Sequence, residues 1–307
     1  LSSKTKASES GIKELISKNE SLQEKLLNIE EKLKMKKTLD WQDHSLFEEI
    51  LKEKQQLAEA LKEMAKKMEE LNQQQNKFSD KDQALQKKSA QLKELISNVL
   101  DEETKKLFDE LEQLLKEQQN VKDIQKKLSS LTNKEENIEQ ELNRALELFK
   151  RLKLENDLDQ AQKMIRKLSQ EQKELSKESG KKDLPLEDLK KQQSEITQKF
   201  GEFKRDLDNL ESLNQELKRP ESLSPTQSSE DNIDESLQEI ADALEEKQRK
   251  KAGKKQEETS EEMKDLSERL ASMQSNMETE TLNENIEDLN RILDDLIKLS
   301  FEQETIM

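Results

Sequence analysis

His44 is the only histidine in these 307 residues, and there is no cysteine. Together these facts remove most of the chemistry that side chains can perform. The chain offers neither a helix bearing two histidine ligands nor a Ser-His-Asp arrangement. A carboxylate metal site in a four-helix bundle takes a Glu-x-x-His pair from each of two helices, which one histidine cannot supply. Without cysteine there are no disulfides, thiolate zinc sites or thiol nucleophiles. The 70 acidic residues read as solvated faces and as i,i+4 partners of lysine. Gly253-Lys254-Lys255 has the look of the end of a phosphate loop. The upstream glycine is missing, no Ser or Thr follows the lysine and no strand precedes it, so that reading is rejected. No catalytic, cofactor-binding or metal-ligating residue is expected, and the chain reads as a non-enzyme.

One charged cluster stands apart. Lys247, Arg249, Lys250, Lys251, Lys254 and Lys255 form a basic run in a chain of net charge −16. Such a run can touch phosphate, anionic lipid or an acidic partner. No aromatic residue interleaves with it, which argues against base stacking. The plainer reading, and the one favoured here, is a solvated helix neutralised by Glu245, Glu246, Glu257 and Glu258. The overall charge disfavours binding of nucleic acid or anionic lipid by the whole surface.

The elements that carry these groups are helices. Counting by sevens, Ile50, Leu57, Met64, Leu71, Phe78, Leu85, Leu92 and Val99 occupy one position without a polar interruption. The companion position reads Phe47, Lys54, Leu61, Met68, Gln75, Asp82, Ser89, Ile96, apolar at both ends and polar in the middle. A repeat of this kind marks a helix with a narrow apolar seam that a partner helix must cover. Composition agrees. Apolar residues make up 30% and charged residues 40%, with seven Phe, one Trp and no Tyr. That is too little for thick two-layer cores and close to the disordered range. Heptad order separates the two, because a coiled coil needs only about two apolar residues in seven.

A first helix is expected over about 9–38, with Ile12, Leu15, Asn19, Leu22, Leu26, Ile29 and Leu33 on its seam. Asn19 is either a buried register-setting residue or a wet one at a frayed end. Trp41, the lone tryptophan, is either a binding anchor or, the reading favoured here, a residue packed across two helix ends. Ser45 and Glu48 form a capping box for a helix that can run from 46 to about 99; Ser79-Asp80-Lys81-Asp82 is a candidate interruption, and the register passing through it favours continuity. These first two helices should pair as an antiparallel hairpin. Acidic residues 101–103 suit the first turn of a new helix, with Leu107, Phe108, Leu111, Leu114 and Leu115 on its face. A short piece carries Val121, Ile124, Leu128 and Leu131. Thr132 and Glu135 make a second capping box, before a helix bearing Ile138, Leu142, Ala145, Phe149 and Leu152. Its seam then changes phase to Leu154, Leu158, Ala161, Ile165 and Leu168, a sign of a stutter or a change of partner.

Gly180 to Pro185 is a stop and restart. Ile196, Phe200, Phe203, Leu207, Leu210, Asn214 and Leu217 define the next seam, in which Gly201 marks close packing or a kink. Residues 220–231 read as a linker. A helix starts near Ile233. Residues 246–262 lack large apolar side chains, and spacing resumes at Met263, Leu266, Leu270, Met273 and Met277. A third capping box, Thr281 and Glu284, precedes a last helix with a wide apolar face from Leu282 to Phe301.

Parts of residues 100–307 have familiar wording. They are Lys251 to Gln256 (KAGKKQ), Met263 to Leu266 (MKDL), Glu284 to Met307 (ENIEDLNRILDDLIKLSFEQETIM), Leu100 to Leu115 (LDEETKKLFDELEQLL) and Glu135 to Leu175. They resemble a family of large coiled-coil-rich proteins of unknown function from Bacteroidetes-type Gram-negative bacteria. The resemblance implies a parent with amino-terminal membrane spans, placing this helical part in the cell envelope. The periplasmic face of the inner membrane is favoured, and the cytoplasmic side stays open. It implies no activity and maps no catalytic residue.

The expected fold is all-α: six to eight helices as elongated antiparallel coiled-coil hairpins with a small bundle. The expected divisions are a hairpin over 1–100, a helical region over 101–219, the linker and the carboxyl-terminal helices 232–307. The expected function is a non-enzymatic scaffold binding protein partners or itself through its seams. Contact residues would be Ile50, Leu57, Met64, Leu71, Phe78, Leu85 and Leu92, and Leu289, Leu293, Leu296 and Phe301. Two alternatives stand beside it. One is the coiled-coil arm of an ATPase whose nucleotide domain lies elsewhere in a longer parent. The other is anionic lipid or nucleic-acid contact through 247–255. No cofactor and no small-molecule substrate are expected. The chain reads as a piece of something longer or a processed product.

Overall fold

The computed structural model describes the backbone of residues 2–76, 83–99, 102–116, 121–181 and 184–306. Side chains are described for 7–70, 88–97, 99, 104–116, 121–181 and 184–277. Among these residues the fold is all-α, with eight helices: α1 (Ser2–Leu33), α2 (Trp41–Asn76), α3 (Gln83–Asn98), α4 (Glu102–Lys116), α5 (Val121–Gly180), α6 (Leu186–Gln215), α7 (Gln227–Glu245) and α8 (Arg249–Ile306). The chain forms two compact units, 1–153 and 154–307.

In the first unit each helix buries a seam whose members alternate three and four residues apart. On α1 the buried set is Ser8, Ile12, Leu15, Asn19, Leu22, Leu26, Ile29 and Leu33. On α2 it is Asp43, Phe47, Ile50, Leu57, Leu61, Met64 and Met68. Lys54 falls on the α2 seam and keeps its stem inside while its Nζ sits 5.0 Å above the Phe108 ring and 3.5 Å from Asp109 Oδ1. Such a cation covers apolar surface with its methylenes and leaves its charge in reach of water. Directions follow from cross-helix pairs. Lys25 binds Glu49 and Glu53, while Gly11 faces Met64, so α1 and α2 run antiparallel as expected. Lys93 pairs with Glu69 and Lys54 with Asp109, so α3 and α4 run against α2. Lys127 pairs with Glu110, and Thr132 with Glu30 and Lys153 with Glu9 bring α5 back along α1. The four directions close an antiparallel bundle.

Residues 46–99 are therefore not one rod. The Lys93–Glu69 pair requires α3 to turn back on α2. The heptad count survives the turn because only its phase, and not its direction, is written in the spacing. The companion seam is polar at Gln75, Asp82 and Ser89, which is where a continuous rod would lack a second apolar edge. Residues 77–82, with the expected continuity, lie outside the described residues.

The second unit repeats the plan. Gln172 meets Gln193 and Glu171 meets Lys199 between α5 and α6. Lys190 meets Glu245 and Lys204 meets Asp234 between α6 and α7. Glu239 meets Lys255 and Ser229 meets Arg269 between α7 and α8. Ser169 donates to the Ser260 carbonyl and Ser179 to Gln256 between α5 and α8. Phe200 and Phe203 stack at 5.7 Å within the core. On α8 the small residues Ala252, Gly253, Thr259, Ser260 and Ser267 are buried. A Cβ on Gly253 would lie 3.1 Å from the Ser176 carbonyl oxygen and 3.3 Å from Ser179 Cβ. A residue stretch without large apolar side chains is thus a packed face built for close backbone approach, rather than the solvated helix expected.

Several boundaries differ from expectation for identifiable reasons. α2 starts at Trp41, capped by a reciprocal pair: Asp43 N donates to Asp40 Oδ1 at 3.0 Å and Asp40 N to Asp43 Oδ2 at 2.9 Å. This capping box, not Ser45 and Glu48, satisfies the first-turn amides. Thr132 lies inside α5, bonded to the Leu128 carbonyl, and Thr281 lies inside α8. The phase change at Leu154 marks a change of partner. Residues to Phe149 belong to the first core and residues from Leu154 to the second. The units consequently divide inside α5, not at 100/101 or at 220–231. Gly201 is exposed with open space at its Cβ position, so it marks neither close packing nor a contact.

The turn from α7 to α8 was not anticipated. Lys247 N donates to the Leu244 carbonyl and Gln248 N to the Ala243 carbonyl, with Lys247 at φ 61. This is the Schellman pattern, in which glycine usually takes the left-handed position. With lysine there, the sequence carries no stop signal. Lys247→Gly relieves the Cβ clash of that conformation and should raise stability by up to about 1 kcal/mol in urea titration.

Candidate functional site

The expected contact residues divide into two groups. Ile50, Leu57, Met64 and Leu92 are buried in the first core at 0–3% exposure. The chain's own helices cover them, so this seam holds the bundle together and is not free for a partner in this fold. The side chains of Leu71, Phe78, Leu85, Leu289, Leu293, Leu296 and Phe301 lie outside the described residues.

The basic run is also divided. Lys247 supplies the left-handed turn residue. Arg249 donates from Nη1 to the Lys181 carbonyl at 2.9 Å and from Nη2 to the Leu184 carbonyl, closing the end of α5 and the α5–α6 connection. A cation on orphan carbonyls at a helix end is favourable through charge and hydrogen bonding together. Lys255 pairs with Glu239 at 2.8 Å and Lys254 with Glu258 at 3.6 Å. Lys250 and Lys251 are exposed. The six cations therefore do not converge on one point.

Two buried polar layers stand out, and they differ in kind. In the second unit Gln172, Gln193, Gln256 and Ser179 are all at 2% exposure or less. Gln172 Nε2 donates to Gln193 Oε1 at 3.0 Å and Gln193 Nε2 returns to Gln172 Oε1 at 3.3 Å. Gln256 Nε2 donates to Gln193 Oε1 at 2.9 Å, and Ser179 Oγ to Gln256 Oε1 at 2.6 Å. Three helices meet in one mutually satisfied network, which fixes their register.

In the first unit Asn19 is fully buried, settling the question left by the sequence. Its Nδ2 donates to the Glu135 carbonyl at 3.3 Å, but its Oδ1 has no hydrogen-bond partner. Neither carboxyl oxygen of Glu135 has one either. Burial alone pushes the Glu135 carboxyl up to about 8. A carboxyl held neutral at physiological pH is the cheaper state here, since an unpaired buried anion costs far more.

The segment expected as a linker is part of the second bundle. Asn214 and the Glu221 backbone exchange two hydrogen bonds, Nδ2 to O at 2.9 Å and N to Oδ1 at 2.8 Å. Arg269 holds the Pro225 carbonyl at 2.9 Å, and α7 starts at Gln227, earlier than Ile233. Leu158, Leu207, Leu223, Leu270 and Met273 with Glu230 line a cavity of about 290 Å³ beside it. Burial raises the Glu230 carboxyl, against an opposing hydrogen bond with Thr226.

One surface combines Trp41, which the sequence offered as a binding anchor, with Met35 and lysines that the sequence reading passed over. In the connection between α1 and α2, Met35 is 95% and Trp41 80% exposed. Trp41 does not pack across the helix ends as expected. Lys32, Lys34, Lys36 and Lys37 flank Met35 and precede Trp41 in sequence, a second local exception to the acidic balance. Lys36 binds Asp40 at 2.6 Å and Asp43 at 2.7 Å, and this holds the Asp40 carboxyl below its usual range. Lys32, Lys34 and Lys37 are exposed. The composition of KLKMKKTLDW carried the signal. It was hidden because four lysines at a helix carboxyl terminus also suit the helix dipole.

Among the described residues, no group of three or more His, Asp or Glu is placed to hold a metal ion. No helix of these residues is long and apolar enough to cross a membrane.

Two substitutions test the layers. The Glu135 carboxyl is raised in the folded state, so its proton stabilises the fold below about pH 4.5 and this contribution is lost as pH rises towards 8. Glu135→Gln should match the parent near pH 4.5 and exceed it by up to about 4–5 kcal/mol above pH 8, read as the difference between paired urea titrations. Gln193→Leu strands Gln172 and Gln256 and should lose about 1–3 kcal/mol, with the loss independent of pH over the same window.

No protein-family model, no curated protein and no solved structure matches this chain.

Proposed function

We propose that the chain is a non-enzymatic structural scaffold, whose second bundle holds the base of the last helix in place for binding protein partners or a second copy of itself. The supporting observation is the reach of α8. It packs in the second core through Met277 and continues as one helix to Ile306. That continuation carries Leu282, Ile286, Leu289, Ile292, Leu293, Leu296, Ile297, Leu299 and Phe301, the densest apolar stretch of the sequence. A face this wide calls for more than one neighbour. In this reading Leu289, Leu293, Leu296 and Phe301 make the contact, while Ile50, Leu57, Met64 and Leu92 hold the first bundle together. Placement in the cell envelope, as part of a membrane-anchored parent, follows from the family resemblance alone. The ATPase-arm and 247–255 alternatives gain no support from the geometry. Arg249 and Lys255 already have intramolecular partners.

Light scattering on the whole chain and on a variant ending at Glu278, which keeps the core residue Met277, tests the proposal. The whole chain should self-associate or retain a partner protein when isolated gently from membranes. The shortened one should do neither while keeping its helicity. A whole chain that is monomeric and alone at every concentration removes the proposal. Ile50→Ala should instead lower stability by about 2–5 kcal/mol and leave association unchanged.

A further inference from the structure

The α1–α2 turn combines features that a structural turn does not need. Short helix connections ordinarily bury their apolar residues, and Leu39 does pack against the first core. Met35 and Trp41 do not, with 95% and 80% exposure. They are separated by five lysine-bordered residues in a single tip, so one surface can receive both. The acidic groups of the tip are already engaged: Asp40 and Asp43 bind Lys36 and cap α2. Exposed Lys32, Lys34 and Lys37 leave the tip with positive charge that its own carboxylates do not neutralise, although Glu31 is also exposed nearby. The rest of the chain is strongly acidic.

We infer that this tip is a docking surface for an anionic phospholipid membrane, with Trp41 and Met35 entering the headgroup region and Lys32, Lys34 and Lys37 meeting lipid phosphates. Charge complementarity selects an anionic partner. The apolar pair then selects a lipid over a nucleic acid, because Met35 offers no stacking face and Trp41 is alone. Tryptophan favours the interface between hydrocarbon and water, where its ring is buried and its N–H stays hydrated. Neither signal suffices alone, since stable interfacial attachment takes an apolar element together with a basic patch. The capping box and the Lys36 bridges fix the turn beforehand, so docking orders little that is not already ordered. This goes beyond the scaffold reading and does not depend on α8.

Trp41 is the only tryptophan and there is no tyrosine, so the whole chain reports on its own tip. Tryptophan emission is followed as phosphatidylcholine vesicles, with and without phosphatidylglycerol, are added. A blue shift with the anionic vesicles, weakened by salt and absent with phosphatidylcholine alone, is the expected result. Lys34→Gln and Lys37→Gln should each weaken sedimentation with anionic vesicles about fivefold. Met35→Ser should reduce the blue shift, and Trp41→Ser should abolish sedimentation at moderate salt. These positions are exposed, and unchanged circular dichroism confirms that each variant folds. An unshifted emission with both vesicle types overturns the inference, as does sedimentation that survives both Lys34→Gln and Trp41→Ser. A shift produced only by protein or by single-stranded nucleic acid also overturns it. A chain lacking α8 beyond Glu278 should dock as well as the whole chain, which separates this result from the scaffold test.

Discussion

A helix whose apolar side chains recur at alternating three- and four-residue intervals cannot be stable in water by itself. Everything else in this chain follows from how those seams are covered. Each seam is narrow, so it needs close neighbours more than a thick core, and 30% apolar composition is enough. In each unit the chain reverses direction three times, and the third reversal brings the fourth layer back against the first; α3 and α4 run in the same direction against α2. Both units close in this way. α5 contributes to each because its seam changes phase between Phe149 and Leu154. Residues before the change face one set of partners and residues after it face another.

Seams built mostly of Leu, Ile and Phe are poor at specifying register, because sliding by one heptad substitutes one such residue for another. The polar layers supply what the apolar residues lack. The glutamine network of the second unit pairs its donors and acceptors across three helices, so a slipped register would leave several of them stranded. The Asn19–Glu135 layer solves the same problem less completely. Its carboxyl finds no partner and holds its proton instead. The small residues on α8 provide a third device. Gly253 and its neighbours let α5 approach closely, where a larger side chain would force the helices apart.

Much of this was legible from spacing. The all-α class, the α1–α2 hairpin, the stop at Gly180 and the partner change at Leu154 follow from heptad phase and from glycine and proline. What spacing could not give was direction. The heptad count from Ile50 to Val99 keeps one register although α3 runs back against α2, and that unbroken count outweighed Ser79-Asp80-Lys81-Asp82 as a sign of interruption. Capping motifs were misread because Ser and Thr three residues before Glu are common in such sequences. Thr132 and Thr281 match the pattern but lie inside helices, where Thr132 bonds back to Leu128 instead. The α7–α8 turn escaped notice because a lysine occupies a place usually marked by glycine. The exposed tip was only half legible: a lone tryptophan between two helices fits either an anchor or a packed residue, and spacing does not decide between them. Met35 and Trp41 fit no seam.

The neutral Glu135 has a consequence for the thermodynamics of assembly. The unfolded carboxyl is ionised at neutral pH, and the folded one, at about 8, is largely not. Forming the first bundle at pH 7 therefore draws close to one proton from the surroundings through this residue. The heat accompanying that process must include the ionisation enthalpy of whatever buffer surrenders it. Calorimetric unfolding enthalpies measured in Tris and in phosphate will then differ, even though no contact in the molecule has changed.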